Sequence, residues 1–205
     1  MQNNIINIVF LPEIFLSIST LALLLIGVFQ KKNSFRIISN LSIIILICTF
    51  FLIYFHKGLD IENYKYFFKD SYFIQFFKCL IVLGSAATII ISKNFFIESK
   101  LARFEIPILI LFSSLGMMVL ISSNDLIAMY LGIELQSLAL YVIAAIKRDS
   151  LQSSESGVKY FVLGALSSGI LLYGCSLLYG FSGSTNFYEI KNNLSSIEHL
   201  NIGLI

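Results

Sequence analysis

The chain has 205 residues, 57% of them hydrophobic and 13% charged, where a soluble domain carries about 25% charged residues. With a mean hydropathy of +0.86, that composition excludes a soluble globular fold and makes lipid the main solvent. A net charge of +2 gives no electrostatic footing for nucleic acid as a partner. Cys48, Cys79 and Cys175 lie far apart inside apolar runs, a spacing that suits neither a metal site nor a redox pair and reads as buried thiols.

A spanning helix needs roughly 20 mostly apolar residues, because the hydrocarbon core is about 30 Å thick and each residue rises about 1.5 Å. Six segments meet that requirement, and the fold class expected is an all-α polytopic membrane protein. The first, at 6–29, is interrupted near its start by Pro12 and Glu13; the second, at 37–55, carries no charge. The third, at 73–92, carries Lys78 close to its beginning, and the fourth, at 106–124, is uncharged. The fifth, at 126–146, contains one ionisable residue, Glu134, and the sixth is expected at 160–179.

No basic residue precedes the first segment and no small-residue cleavage site follows it, so it is expected to stay in the mature protein rather than act as a signal peptide. After Tyr179 a polar stretch at 180–201 opens with turn chemistry. Ile202, Gly203, Leu204 and Ile205 then look like the first turn of a truncated seventh helix, as in the leading part of a longer protein or a split gene product.

Lys and Arg in the connections set the orientation. Lys31, Lys32 and Arg36 lie between helices one and two, Lys93, Lys100 and Arg103 between three and four, and Lys147, Arg148 and Lys159 between five and six. The other side holds Lys57, Lys65, Lys69 and Lys191. Nine against four places the N-terminus on the periplasmic or intermembrane side.

Glu134 falls two residues from the middle of its 21-residue run, about 3 Å from the bilayer centre. A carboxylate at that depth costs several kcal/mol and cannot snorkel, so it asks for a reason. One reading is a proton-carrying carboxylate facing the bundle interior, with Gln136 and Ser137 offering polar groups beside it; the other is a protonated Glu hydrogen-bonded for packing alone. Glu155 and Lys159 are four apart, so they share a helical face with the acid N-terminal to the base, the better order for such a pair. Ser153 or Ser154 can cap that helix. Lys159 is either functional or a snorkelling topology signal, and whether it reaches Glu134 is left open by an axial gap of about 10 Å.

Asp125, in the tight 122–125 connection, complements the dipole of helix five. Glu13 and Lys78 lie near outer membrane edges and read as interfacial, and His56 and His199 are unclustered, so no metal site is expected. Gly164, Ser167, Ser168, Gly169 and Gly174 form a small-residue face on helix six that permits close approach of a neighbour.

The stretch from Ser122-Ser123-Asn124-Asp125 through Leu131-Gly132-Ile133-Glu134-Leu135-Gln136-Ser137-Leu138, then Tyr141-Val142-Ile143-Ala144-Ala145 and Glu155-Ser156-Gly157-Val158-Lys159-Tyr160, closely resembles the NADH-quinone oxidoreductase subunit called N in bacteria and subunit 2 in mitochondria. Leu11-Pro12-Glu13-Ile14 and the Gly180-Phe181-Ser182-Gly183-Ser184-Thr185 turn also fit, although the likeness is dense only from about Asn124 to Phe187. It implies the N-terminal part of an antiporter-like inverted-repeat fold, with helices one to three at 1–103 and the first part of the proton-translocating repeat at 104–205.

The resemblance further implies a membrane-arm subunit of respiratory complex I that carries protons while NADH oxidation and quinone reduction take place in other subunits. NADH, FMN, iron–sulfur clusters and quinone would be bound there and no cofactor by this chain. Partners would be the neighbouring antiporter-like and small helical membrane-arm subunits, in a bacterial or mitochondrial inner membrane. By the same resemblance Glu134 is the mid-membrane glutamate of the first repeat, and Lys159 with Glu155 matches the charged start of the sixth helix on the proton path. The lysine of the seventh helix and the second repeat are not in these residues, so the chain alone is expected not to translocate protons. Subunits of multi-subunit sodium/proton antiporters and membrane hydrogenases share the glutamate but tend to carry Trp before it, where Ile133 stands here. A structural or assembly module with a satisfied buried Glu is the alternative of another class.

Overall fold

The computed structural model describes residues 10–30, 34–55, 68–99, 101–147 and 149–195. They form seven helices: α1 (Leu11–Phe29), α2 (Ser34–Phe55), α3 (Tyr72–Glu98), α4 (Glu105–Ser122), α5 (Leu126–Ala144), α6 (Leu151–Ser182) and the short α7 (Phe187–Ser195). The first six are each long and apolar enough to cross a membrane, as the sequence led us to expect. The expected start of helix one at 6–9, the turn at 202–205, and Lys31, Lys32, His56, Lys57, Lys65, Lys100, Arg148 and His199 lie outside the described residues.

Capping, rather than hydropathy, decides where the helices begin and end. The sixth helix starts nine residues before the expected Tyr160, because the Ser150 hydroxyl, and not Ser153 or Ser154, accepts the Ser153 backbone N–H at 3.4 Å. Polar residues are compatible with helix and simply extend it past the apolar run. The helix ends at Gly183, whose φ of 70° lies in the left-handed region, with its N–H bonded to the Tyr179 carbonyl at 2.8 Å. For the same reason α3 runs on to Glu98, beyond the expected Ser92. The polar stretch after Gly183 is not all turn, since α7 forms within it.

α1 to α4 make a bundle whose centre is filled by Leu16 and Leu23, Leu46 and Ile53, Val82 and Ile89, and Leu111, Leu115 and Met118. On each of the first three helices the buried pair is seven residues apart, the spacing that keeps one stripe facing a neighbour in nearly parallel packing. Hydroxyls that fall inside the bundle are satisfied within their own helices: Thr20 donates to the Leu16 carbonyl, Ser39 to Phe35, Ser42 to Ile38 and Thr49 to Leu46. Apolar side chains such as Val28, Phe29, Tyr54, Phe55, Phe73 and Ile91 face outward, toward lipid. Cys48 faces outward as well and Cys79 and Cys175 are half-buried, so the thiols are not interior groups as expected; an apolar run turns one face to lipid, and the cysteines fall partly on it.

α5 packs against α4 more extensively than any other helix pair in the structure. Gly116 and Gly132 make this possible: a Cβ on Gly116 would stand 2.8 Å from both the Gln136 amide nitrogen and the Gly132 carbonyl oxygen, and one on Gly132 would stand 2.9 Å from the Leu120 nitrogen. α6 then packs on α5, outside the bundle, and its apolar stretch keeps no buried residue.

The ends sort into two sides. On one, the α1–α2, α3–α4 and α5–α6 connections gather; these carry most of the basic residues of the sequence. On the other, backbone bonds tie the 122–125 turn from both directions: the Lys69 amide to the Ser122 carbonyl (2.8 Å), Leu126 to Thr185 (2.9 Å) and Phe187 to Asn124 (3.2 Å).

Candidate functional site

Glu134 is the ninth of the 19 residues of α5, at the middle of the span. Its direction follows from Gly132. Two residues along a helix is a rotation of about 200°, so if Gly132 faces α4, Glu134 faces away from it, toward α6. There the Ser168 hydroxyl donates to Glu134 Oε1, and Tyr130 Oη lies 3.0 Å from Ser168 Oγ, where either oxygen can donate. Tyr130 is one turn before Glu134 on the same helix, so two α5 groups close on one α6 hydroxyl. The result is a half-buried chain of exchangeable protons, Tyr130 to Ser168 to Glu134. Among the described residues, Glu134 Oε2 has no hydrogen-bond partner.

Gln136, expected beside this carboxylate, is instead turned toward α4, where its backbone and Cβ meet Gly116. Of the small-residue face expected on α6, only part is used at this contact. A Cβ on Gly164 would collide with Tyr141 Oη and one on Gly157 would fall 2.5 Å from the Ala145 Cβ, so both glycines admit α5. Gly169 and Gly174 meet nothing within 4 Å, and Ser167 bonds back to the Gly164 carbonyl.

Lys159 Nζ pairs with Glu155 Oε1 at 2.5 Å, the i,i+4 pair the spacing predicts. The structure does not bring this pair to Glu134. Lys159 is nine residues before Ser168, which places it about 13 Å away along α6 and about 180° around it. Its side chain is 69% exposed and that of Glu155 55%, on the face of α6 that no other described helix covers.

Asp125 is the N-cap of α5: its Oδ1 accepts the amides of Ile127 (2.8 Å) and Ala128 (3.4 Å), and its Oδ2 accepts the Thr185 hydroxyl at 2.5 Å. It is 1% exposed, sealed between the starts of α5 and α7. The dipole role expected of it stands, and the bond to Thr185 adds a tether to the end of α6.

The site missed in the sequence is Glu13 with Lys78. Both were expected to be interfacial; instead Lys78 Nζ lies 2.6 Å from Glu13 Oε1, with side chains 3% and 7% exposed respectively. The pair spans the bundle from α1 to α3, each of which packs on α2 and α4. Each residue alone, one helical turn or so inside a span, looks like an edge residue. Their similar depth at the starts of α1 and α3 was the available signal, and it needed the opposite charges to be read together.

Comparison with known proteins bears on the whole chain. The family model described as NADH:quinone oxidoreductase/Mrp antiporter, TM matches residues 123–205, which hold Asp125, Glu134, Glu155, Lys159 and Ser168. NADH-quinone oxidoreductase subunit N of Pelagibacter ubique (strain HTCC1062) is 53% identical over 200 residues, 95% of this chain and 42% of that protein. The subunit N of Paramagnetospirillum magneticum (strain ATCC 700264 / AMB-1) is 48% identical over 182 residues, covering 89% and 37%. Among solved structures, a chain of respiratory complex I from Thermus thermophilus with bound aureothin superposes with a TM-score of 0.71 at 25% identity, over 94% of this chain and 40% of that one. A chain of an archaeal membrane-bound sulfane sulfur reductase shares the fold, with a TM-score of 0.66 at 21% identity over 88% and 38%. The chain thus spans about two fifths of the length of the curated relatives it matches. The chain is a homologue of the NADH-quinone oxidoreductase subunit N proteins, which it matches over 89–95% of its own length.

Proposed function

We propose that this multi-pass membrane protein works as part of a membrane-arm subunit of NADH:quinone oxidoreductase and that Glu134 holds a proton on a path across the membrane. The observation that carries the proposal is a carboxylate at mid-span, joined to the Ser168 and Tyr130 hydroxyls and otherwise placed among apolar helices. An ionisable group at the middle of a span is rare and marks proton or ion pathways more often than packing. Hydroxyls that donate and accept with equal ease can pass a proton toward or away from the carboxylate.

In this proposal residues 104–205 form the first part of the proton-carrying repeat, and the three helices within 1–103 flank it. Glu155 and Lys159 belong to the path at the basic side, which is the cytoplasmic or matrix side of an inner membrane, with the N-terminus opposite. Because that pair and Glu134 lie on opposite faces of α6, the two are not in direct contact and the path between them needs further groups. NADH, FMN, iron–sulfur clusters and quinone sit in partner subunits.

The test is Glu134→Gln in the intact complex, with assembly followed on native gels and proton uptake measured alongside NADH oxidation. Pumping is expected to be lost with assembly preserved. Unchanged pumping would assign Glu134 to packing alone.

A further inference from the structure

At the basic side, a cavity of about 740 Å³ opens between the first turn of α2, the end of α3 and the start of α4. Arg36 and Arg103 line it, with Glu105 as the one acid among its lining residues. Its lining is mixed: Phe35, which is buried, and Ile97 and Phe104, which are half-buried, form an apolar part, while Arg36 is exposed and Arg103 half-buried. Phe35 also meets the Phe96 ring edge-on at 6.4 Å. Among the described residues neither guanidinium has a hydrogen-bond or ion-pair partner, and Glu105 has none either.

Two cations and one anion leave the lining with a net charge of +1, which matches a phosphodiester carrying a single negative charge. A guanidinium fork suits the paired oxygens of a phosphate better than an ammonium does. The cavity is of the size that small-molecule sites occupy. It lies at the ends of three membrane-spanning helices, the level at which a bilayer presents phosphates and first methylenes together. We propose that this cavity binds the headgroup of an acidic phospholipid such as phosphatidylglycerol, the phosphate on Arg36 and Arg103 and the first acyl methylenes against Phe35, Ile97 and Phe104.

The experiment uses the full chain reconstituted in phosphatidylcholine vesicles with and without phosphatidylglycerol, extracted in a neutral detergent, with retained lipid counted by native mass spectrometry. Wild type is expected to retain phosphatidylglycerol in preference to phosphatidylcholine, and less of it as ionic strength rises. R36Q/R103Q is expected to hold it about thirtyfold more weakly, roughly fivefold for each arginine. R36K/R103K should fall between the two, and Lys191→Gln on the other side should change nothing. Equal retention by R36Q/R103Q, equal retention of zwitterionic lipid, or displacement by inorganic phosphate as effective as by lipid would each overturn the proposal. If R36Q/R103Q fails to fold by circular dichroism, a photoactivatable phosphatidylglycerol on wild type decides: labelling of peptides containing Phe35 or Ile97 supports the site, and labelling confined to other peptides overturns it.

Discussion

Replacing Glu13 by Leu leaves the Lys78 ammonium inside the bundle with no counter-charge. Lys78 itself is 2% exposed, and Leu16 on α1 and Val82 on α3, one turn along from the pair, are 0% and 1% exposed, so water has no ready route to it. Breaking a buried ion pair from one side costs about 3–5 kcal/mol, because the remaining charge loses its compensation. Removing both charges with a pair of apolar residues of similar volume, Glu13→Leu with Lys78→Met, is often neutral and can stabilise by about 1–4 kcal/mol. The expected double-mutant cycle is therefore far from additive. Each single variant, E13L or K78M, should lower the thermal midpoint by roughly 6–20 °C for a chain of this size, using about 2–4 °C per kcal/mol, while the double variant stays near wild type. Unfolding of the detergent-solubilised protein, followed by circular dichroism, measures it. The reasoning fails if the single variants cost no more than surface substitutions, or if the double variant loses the sum of both. Either result would mean that the pair is hydrated and its partners are not coupled.

Ser168→Ala removes the hydroxyl between Glu134 and Tyr130 without changing the backbone, so the intact complex should assemble normally while proton pumping falls several-fold; Tyr130→Phe should cost less, because Ser168 still reaches Glu134. Pumping unchanged in S168A would show that the hydroxyl chain carries nothing. Gly116→Ala forces a methyl to 2.8 Å from backbone atoms of α5, and overpacking of that kind costs about 1–3 kcal/mol. Gly164→Ala meets only the movable end of Tyr141 and should be milder, and thermal unfolding ranks the two. Asp125→Ala removes a cap and the Thr185 bond together, a loss of about 1–2 kcal/mol. Hydrogen exchange should then rise at the start of α5 and in α7, while Asp125→Asn keeps most of the protection.

Hydropathy reports depth, and depth was legible. Six spans, the mid-membrane position of Glu134 and the split between a basic and a less basic side all follow from counting residues along the chain. Helix ends were less so: the Leu151–Ser182 helix begins in polar sequence because a serine caps it there, and no apolar run marks that point. Azimuth was hidden. Gln136 stands two residues from Glu134 and was expected beside it, yet faces the other way, toward Gly116. Only the close approach of Gly116 and Gly132 fixes the rotation of α5, and two glycines in two apolar helices do not announce that they will meet.

The two ion pairs make the same point in terms of energy. Glu155 and Lys159 are visible as a pair in the sequence because they sit one turn apart on one helix, and for that reason their contact fixes nothing about how α6 packs. Both side chains are more than half exposed, where such pairs contribute little. Glu13 and Lys78 are 65 positions apart in the sequence, so nothing local brings them together; bundle packing does, and the pair in turn restricts how α1 and α3 can rotate against α2 and α4. A rotation of either helix by one residue, about 100°, would separate the charges and leave both in an apolar interior. The buried pair thus selects one rotation of the N-terminal bundle. By the packing of α4 on α5 through Gly116 and Gly132, that choice extends to the face on which Glu134 meets Ser168.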